Sequence, residues 1–150
     1  MIEVIKVTKN DFYHDELPII FHDEEYARNY YNVSYNGEFL FSFSAQSEIL
    51  PTAVNIDGLI AVGCDQDIFF FSVKDSSVIK KIPLSCFFYY FYLTDEYVSI
   101  VCEVEIILLK RKTLCEYTIL TFTKYIDHMG IDESSVFVKF VDDSIEYISI

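Results

Sequence analysis

Glycine and proline are scarce in this chain, 4 and 3 in 150 residues, against the roughly 12% that average usage would supply. That scarcity excludes collagen-like, low-complexity and flexible-linker architectures. Tryptophan is absent. Basic residues are few, 11 Lys and Arg facing 24 Asp and Glu, and the net charge of −13 repels nucleic-acid phosphates and anionic lipid head groups. Direct nucleic-acid binding is therefore not expected. The longest wholly apolar run, CFFYYFYL from Cys86 to Leu93, is less than half the length that a membrane-spanning helix requires, so it reads as a strand and no membrane contact is expected. The start, MIEVIKVTKN, lacks the basic region and apolar stretch of a secretory signal, which predicts a cytoplasmic protein. No Cys-x-x-Cys spacing occurs; Cys64, Cys86, Cys102 and Cys115 lie in or beside apolar segments and read as buried free thiols in a reducing compartment.

What remains is material for one core. At 17.6 kDa, 52% hydrophobic and with 14 Phe and 12 Tyr, the chain has the size of a single domain, 1–150. Short runs rich in Val, Ile, Phe and Tyr alternate with Asp, Asn, Ser and Gly, the pattern of strands and turns. Strands are predicted at 2–7, 31–35, 38–44, 59–64, 67–73, 77–83, 86–93, 97–103, 105–111, 115–122, 135–141 and 144–149. Runs such as IFFFSV and EIILLK are apolar on both faces and belong to strands flanked by neighbours. One short helix is predicted at about 23–31, where Asp23, Glu24 and Glu25 would meet the positive end of its dipole.

Sliding the chain against itself by 38 residues places Leu59 on Tyr97, Ile60 on Val98, Val62 on Ile100, Cys64 on Cys102, Asp65 on Glu103 and Asp67 on Glu105. Asp57 falls on Asp95, and a third copy sets Val136 on Val98 and Glu133 on Asp95; one inserted residue then aligns Ile145 with Ile106. A unit of about 38 residues with four short strands has the length of one propeller blade. Residues 55–150 thus resemble a run of β-propeller blades, without a Gly-His or Trp-Asp signature. The expected fold is all-β, with one short helix near the N-terminus, as a small or incomplete β-propeller-like stack of antiparallel sheets. On this reading IEVIKV completes the short last sheet.

Charge is uneven: residues 1–60 carry −7, residues 61–125 carry −1 and residues 126–150 carry −5. If the N-terminal strand docks beside the last sheet, the two acidic ends meet and attract a basic partner. His14-Asp15-Glu16 and His22-Asp23-Glu24 repeat a string that could bind metal or act as acid and base. Pro18 separates them and removes any fixed helical spacing, so they read as a solvated acidic loop, as does His128 beside Asp127. A catalytic thiolate needs a nearby imidazolium or helix N-terminus, whereas each cysteine sits in a predicted strand. Lone glycines give no phosphate loop, and Lys110-Arg111-Lys112 reads as a solvated turn. No catalytic residue, cofactor or metal is expected.

A small, acidic, all-β chain with no catalytic constellation resembles, in size and charge, the immunity proteins of bacterial toxin systems, including contact-dependent growth inhibition. The resemblance implies a protein that neutralises a cognate toxin, of the nuclease class, by covering its basic cleft with carboxylates. The candidate partner-binding residues are Asp15, Glu16, Asp23, Glu24, Glu25, Asp132, Glu133, Asp142 and Asp143, with Tyr30 and Tyr31 as aromatic anchors. The alternative is a non-catalytic propeller-like scaffold that self-assembles through an uncompleted edge. The oligomeric state is open in both readings.

Overall fold

The β-rich runs become fifteen strands in a computed structural model that describes residues 1–150. The chain divides into two compact units, Met1–Leu84 and Ser85–Ile150. No helix is long and apolar enough to cross a membrane.

The first unit opens with β1 (Ile2–Val7), α1 (Lys9–His14), β2 (Ile19–Phe21), β3 (Asn29–Tyr35) and β4 (Glu38–Ala45). They form a four-stranded sheet in the order β1-β3-β4-β2, in which β2 runs parallel to β4. Asn36-Gly37 joins β3 to β4 with both residues at positive φ, 52° and 84°, the backbone of a type I′ hairpin. A meander follows: β5 (Thr52–Ile56), β6 (Leu59–Cys64), β7 (Asp67–Ser72) and β8 (Ser77–Pro83). Its first turn, Asp57-Gly58, repeats the positive-φ pair at 51° and 92°. The core joins Tyr31, Val33, Phe41 and Phe43 to Ile60, Val62, Cys64 and Phe71. Alternation sends Tyr30, Asn32, Ser42 and Ser44 to the other face, which is also buried because α1 lays Phe12 against Tyr30.

Two expectations fail here. The predicted helix at 23–31 is a single turn, with Ala27 N–H bonded to Asp23 O at 3.0 Å, and the segment enters β3 at Asn29. The aromatic alternation NYYNVSY finds partners on both sides, β1 and β4, and that pairing outweighs a short helix. The real helix lies earlier: Thr8 accepts the Asp11 N–H at its start, and Phe12 is its buried residue. The second failure is the predicted closure. β1 pairs with β3 over six residues, from Ile2 opposite Tyr35 to Val7 opposite Tyr30, and packs Ile2 and Val4 against the first core. It does not complete the last sheet, so strand pairing does not bring the acidic ends together.

The second unit contains β9 (Phe88–Leu93), β10 (Tyr97–Cys102), β11 (Glu105–Lys110) and β12 (Glu116–Thr121) as an antiparallel meander. After it come β13 (Ile126–Asp132), β14 (Ser135–Phe140) and β15 (Ile145–Ser149), a sheet of three. Tyr97, Val101, Ile106 and Leu108 pack with Ile126, Met129, Val136 and Phe140. Strands β2, β5 and β13 were not anticipated. Cys64 and Cys102 each end the second strand of a four-stranded sheet, as the 38-residue offset requires.

The offset also holds in the chemistry of the turns. Asp65 accepts the Gln46 N–H at 2.7 Å and the Ser47 N–H at 3.1 Å, in the segment leading to β5. Glu103, one repeat later, accepts the Phe87 N–H at 2.9 Å, just before β9. Asp142 pairs with Lys124 at 3.0 Å, just before β13. The acid between the second and third strands of these three sheets holds the connector that enters its own sheet.

The thiols are less uniform than expected. Cys64 and Cys102 are buried, Cys86 is half-buried and Cys115 is exposed, just before the outer strand β12, which buries none of its own residues. Burial, then Asp65, pushes the Cys64 thiol up; burial, then the adjacent Cys86, does the same for Cys102.

Candidate interaction surface

In the first unit, the two His-Asp-Glu strings are brought side by side by one imidazole. His22 bonds through Nε2 to the Tyr13 hydroxyl at 2.8 Å and through Nδ1 to Ser44 Oγ at 2.9 Å, and its ring packs 5.0 Å from Phe12. It thereby ties the end of α1 to the end of β2. His14 spends its Nδ1 on the Asn10 carbonyl at 2.7 Å, and no His, Cys, Asp and Glu grouping capable of holding a metal occurs. Asp15 Oδ2 accepts from Asn32 Nδ2 at 2.8 Å, while Glu16 sits at φ 54° beyond the helix end. Asp23 turns inward, accepting the N–H groups of Glu25 at 3.0 Å and Tyr26 at 3.1 Å. Glu16, Glu24 and Glu25 are exposed and take no part in the salt bridges Lys81–Asp67, Lys124–Asp142, His128–Asp127 and Lys139–Asp143.

Tyr30 and Tyr31 are not surface anchors. Tyr30 is buried beneath Phe12, and Tyr31 stacks on Phe43 at 5.3 Å in the core. Helix α1 covers one face of β3 and the first core the other, which a lone Tyr-Tyr dipeptide cannot announce. The exposed aromatics of this region are Tyr13 and Tyr26, 47% and 58% accessible, beside the acidic loops.

In the second unit the predicted acids separate. Asp142 is bound to Lys124 and accepts the Ser144 N–H at 3.0 Å. Hydrogen bonds from Ser144 and then from Lys124 hold its carboxyl down to about 2. Asp143 pairs with Lys139 at 3.4 Å. Asp132 and Glu133 stand exposed at the hairpin between β13 and β14. Glu133 shares a cleft of about 220 Å³ with Thr94, Asp95, Glu96, Tyr97 and Ile131. Asp95 and Glu96 were not among the predicted site residues, although the 38-residue offset had already aligned Asp95 with Glu133. Beside them, Lys110 lies 4.7 Å and 4.4 Å from the ring centroids of Tyr97 and Tyr117. Arg111 donates to the Thr94 carbonyl at 2.9 Å, so the basic triplet is more than a solvated turn.

Whereas Asp95 and Glu96 share a cleft with Lys110 and Lys112, the arrangement offers two small groups of exposed acids, Glu16, Glu24 and Glu25 on the first unit and Asp132 and Glu133 on the second. Such groups attract cationic side chains from a distance.

No family model matches the chain, and no curated protein matches its sequence. Solved structures do. The chain is similar to the computationally designed Ika4 protein at a TM-score of 0.62 and 11% identity, covering 90% of this chain and 92% of that one. It is similar to BBS1N, crystallised in complex with ARL6DN, at a TM-score of 0.56 and 12% identity, with 98% and 46% covered. BamB from Moraxella catarrhalis gives 0.55 and 7%, with 81% and 40% covered. The chain therefore spans less than half the length of these last two. BBS1N and BamB are propeller-like, and with four small sheets and one short helix this chain has an all-β, propeller-like fold.

Proposed function

We propose that this is a non-catalytic protein-binding module that recognises a basic protein partner, in its most concrete form a cytoplasmic immunity protein that neutralises a cognate nuclease toxin. The observation that carries the reading is the sorting of the acids. Asp65, Glu103 and Asp142 are consumed inside the fold, whereas Glu16, Glu24, Glu25, Asp132 and Glu133 are exposed without salt bridges. Exposed like charges that bond nothing in the fold oppose compaction, and a cationic partner would relieve them. A nuclease cleft, built to hold phosphates, presents such cations. The three-stranded last sheet favours a second reading, a scaffold that assembles with itself.

The test is to identify by mass spectrometry the protein that co-purifies with this chain, then to measure growth rescue on co-expression with it and association kinetics with its purified domain. Replacing Glu16, Glu24 and Glu25 by Lys slows association at least tenfold at about 50 mM salt, and the difference shrinks as salt rises past about 0.1 M, where the Debye length is roughly 10 Å. Absence of rescue together with self-association of the purified chain overturns the immunity reading in favour of the scaffold.

A further inference from the structure

A thiol ends the second strand of both four-stranded meanders, and the chain leading into each sheet runs beside it. In the first, Cys64 Sγ donates to the Ser44 carbonyl at 3.7 Å, and the charged groups around it are the carboxylates of Asp65 and Asp67. In the second, the incoming chain carries a thiol of its own. Cys102 lies opposite Phe88. One step along, Glu103 and Phe87 are joined twice, by the Glu103 N–H to Phe87 O at 3.0 Å and the Phe87 N–H to Glu103 Oε1 at 2.9 Å. Cys86 is the next residue outward, so alternation returns it to the face shared by Phe88 and Cys102, where its thiol hydrogen-bonds with that of Cys102. Cys102 is fully buried, while Cys86, which lies outside β9, is half-buried. The ladder skips Tyr89, between Tyr90 opposite Val101 and Phe88 opposite Cys102, and such a bulge lets the strand bend locally.

We propose that Cys86 and Cys102 form an exchange site for small-molecule disulfides, closing to a reversible disulfide bond between the incoming chain and β10. Exposure orders the steps. Burial pushes the Cys102 thiol up and keeps it from solvent, so Cys86 reacts first. Its thiolate attacks one sulfur of the small disulfide, which forms a mixed disulfide and releases one thiolate. Cys102 then gives its proton to that released thiolate, attacks the Cys86 sulfur and expels the second half of the small molecule as a thiolate. Two protein thiols are oxidised to one disulfide, and one small disulfide is reduced to two thiols. The new bond adds a covalent tie to the connector that Glu103 holds by hydrogen bonds. Cys64, at the same position one repeat earlier, has no second thiol beside it and serves as an internal control.

The probe is oxidised glutathione in excess over the reduced full chain, at a pH near the ordinary thiol pKa of about 8.5. The reaction is quenched with acid, the chain is denatured and alkylated, and the products are read by intact mass and peptide mapping. The expected result is a link between the Cys86 and Cys102 peptides within one chain, with Cys64 still a thiol and both linked thiols restored by dithiothreitol. Cys102→Ser holds glutathione at Cys86 because the second thiol is gone, and Cys86→Ser leaves Cys102 unmodified. The measurement on the unaltered chain stands without either variant. A lasting glutathione adduct on Cys86 of the unaltered chain overturns the proposal, as does recovery of Cys86 and Cys102 both as thiols. Cys102 joined to Cys64, to Cys115 or to another chain, or Cys64 modified as fast as Cys86, overturns it equally.

Discussion

Asp65→Asn is the sharpest test of how the sheets are joined. Asp65 accepts three hydrogen bonds from one connector: the Gln46 N–H at 2.7 Å, the Ser47 N–H at 3.1 Å and the Ser47 hydroxyl at 2.5 Å. A hydrogen bond to a charged acceptor contributes about 1.5–3 kcal/mol. Asparagine keeps one acceptor oxygen but turns an NH2 group toward donors that need an acceptor, so at least one bond is lost and one donor is opposed. The net cost is about 2–4 kcal/mol, a large part of the roughly 5–15 kcal/mol available to an ordinary domain. At about 2–4 °C per kcal/mol for a chain of this length, Tm falls by roughly 5–15 °C. Urea unfolding followed by circular dichroism should show a lower midpoint at unchanged slope. Glu103→Gln removes less, because the Glu103 N–H bond to Phe87 O at 3.0 Å survives; about 1–2 kcal/mol is expected. Glu38→Gln, exposed at the β3–β4 turn, should change stability by less than about 0.5 kcal/mol. If Asp65→Asn unfolds with the unaltered protein, the acids at the 38-residue spacing do not hold the connectors and the reasoning is refuted.

Thiol labelling should be sequential: Cys115 reacts with a water-soluble disulfide reagent at once, Cys64 and Cys102 only on unfolding, and rapid native labelling of either would contradict their burial. Gly130→Ala should destabilise by about 1–3 kcal/mol, because a Cβ there would lie 2.2 Å and 2.6 Å from two ring carbons of Phe137; Phe137→Leu should relieve part of that cost in a double-mutant cycle. Asp142, held at about 2 against an ordinary 3.8 by Ser144 and Lys124, contributes stability that is complete above about pH 4 and is lost as pH falls toward 2. Asp142→Asn should flatten that acid limb in pH-dependent unfolding.

Legibility in the sequence followed the strength of local signals. Asn36-Gly37 and Asp57-Gly58 specify type I′ turns, and the runs IFFF and IILL could only be strands buried on both sides. The missed strands are those whose residues do not announce them. β2 is three residues paired in parallel with β4. β5 is TAVNI, half polar. β13, IDHMGID, holds Asp, His and Gly, and its glycine is required by Phe137 across the ladder. The false helix at 23–31 had a sound start, since Asp23 does cap a turn, but the start of a helix does not show how far it runs. Tyr30 and Tyr31 were misplaced for a related reason: α1 and the first core cover opposite faces of β3, a fact of tertiary packing.

The acidic composition was legible only as a sum, and the sum conceals two populations that behave oppositely. An acid between the second and third strands meets the connector entering its sheet, so its charge is answered by N–H groups or a lysine and works within the fold. Glu133, between the first and second strands of the last sheet, lines a cleft with Asp95 and Glu96 of the same sign, and those two are flanked on their other side by Lys110 and Lys112. Both positions recur at the same spacing, so periodicity alone cannot separate them; the distinction depends on whether a connector passes within hydrogen-bond reach. Asp142 leaves the candidate surface on this ground, Asp143 leaves it because Lys139 of β14 pairs with it, and Asp95 and Glu96 stand beside Glu133. It also follows that changing the first class should move stability and the second class should move association, so unfolding and binding measurements on the same set of variants sort the acids independently of any assumed partner.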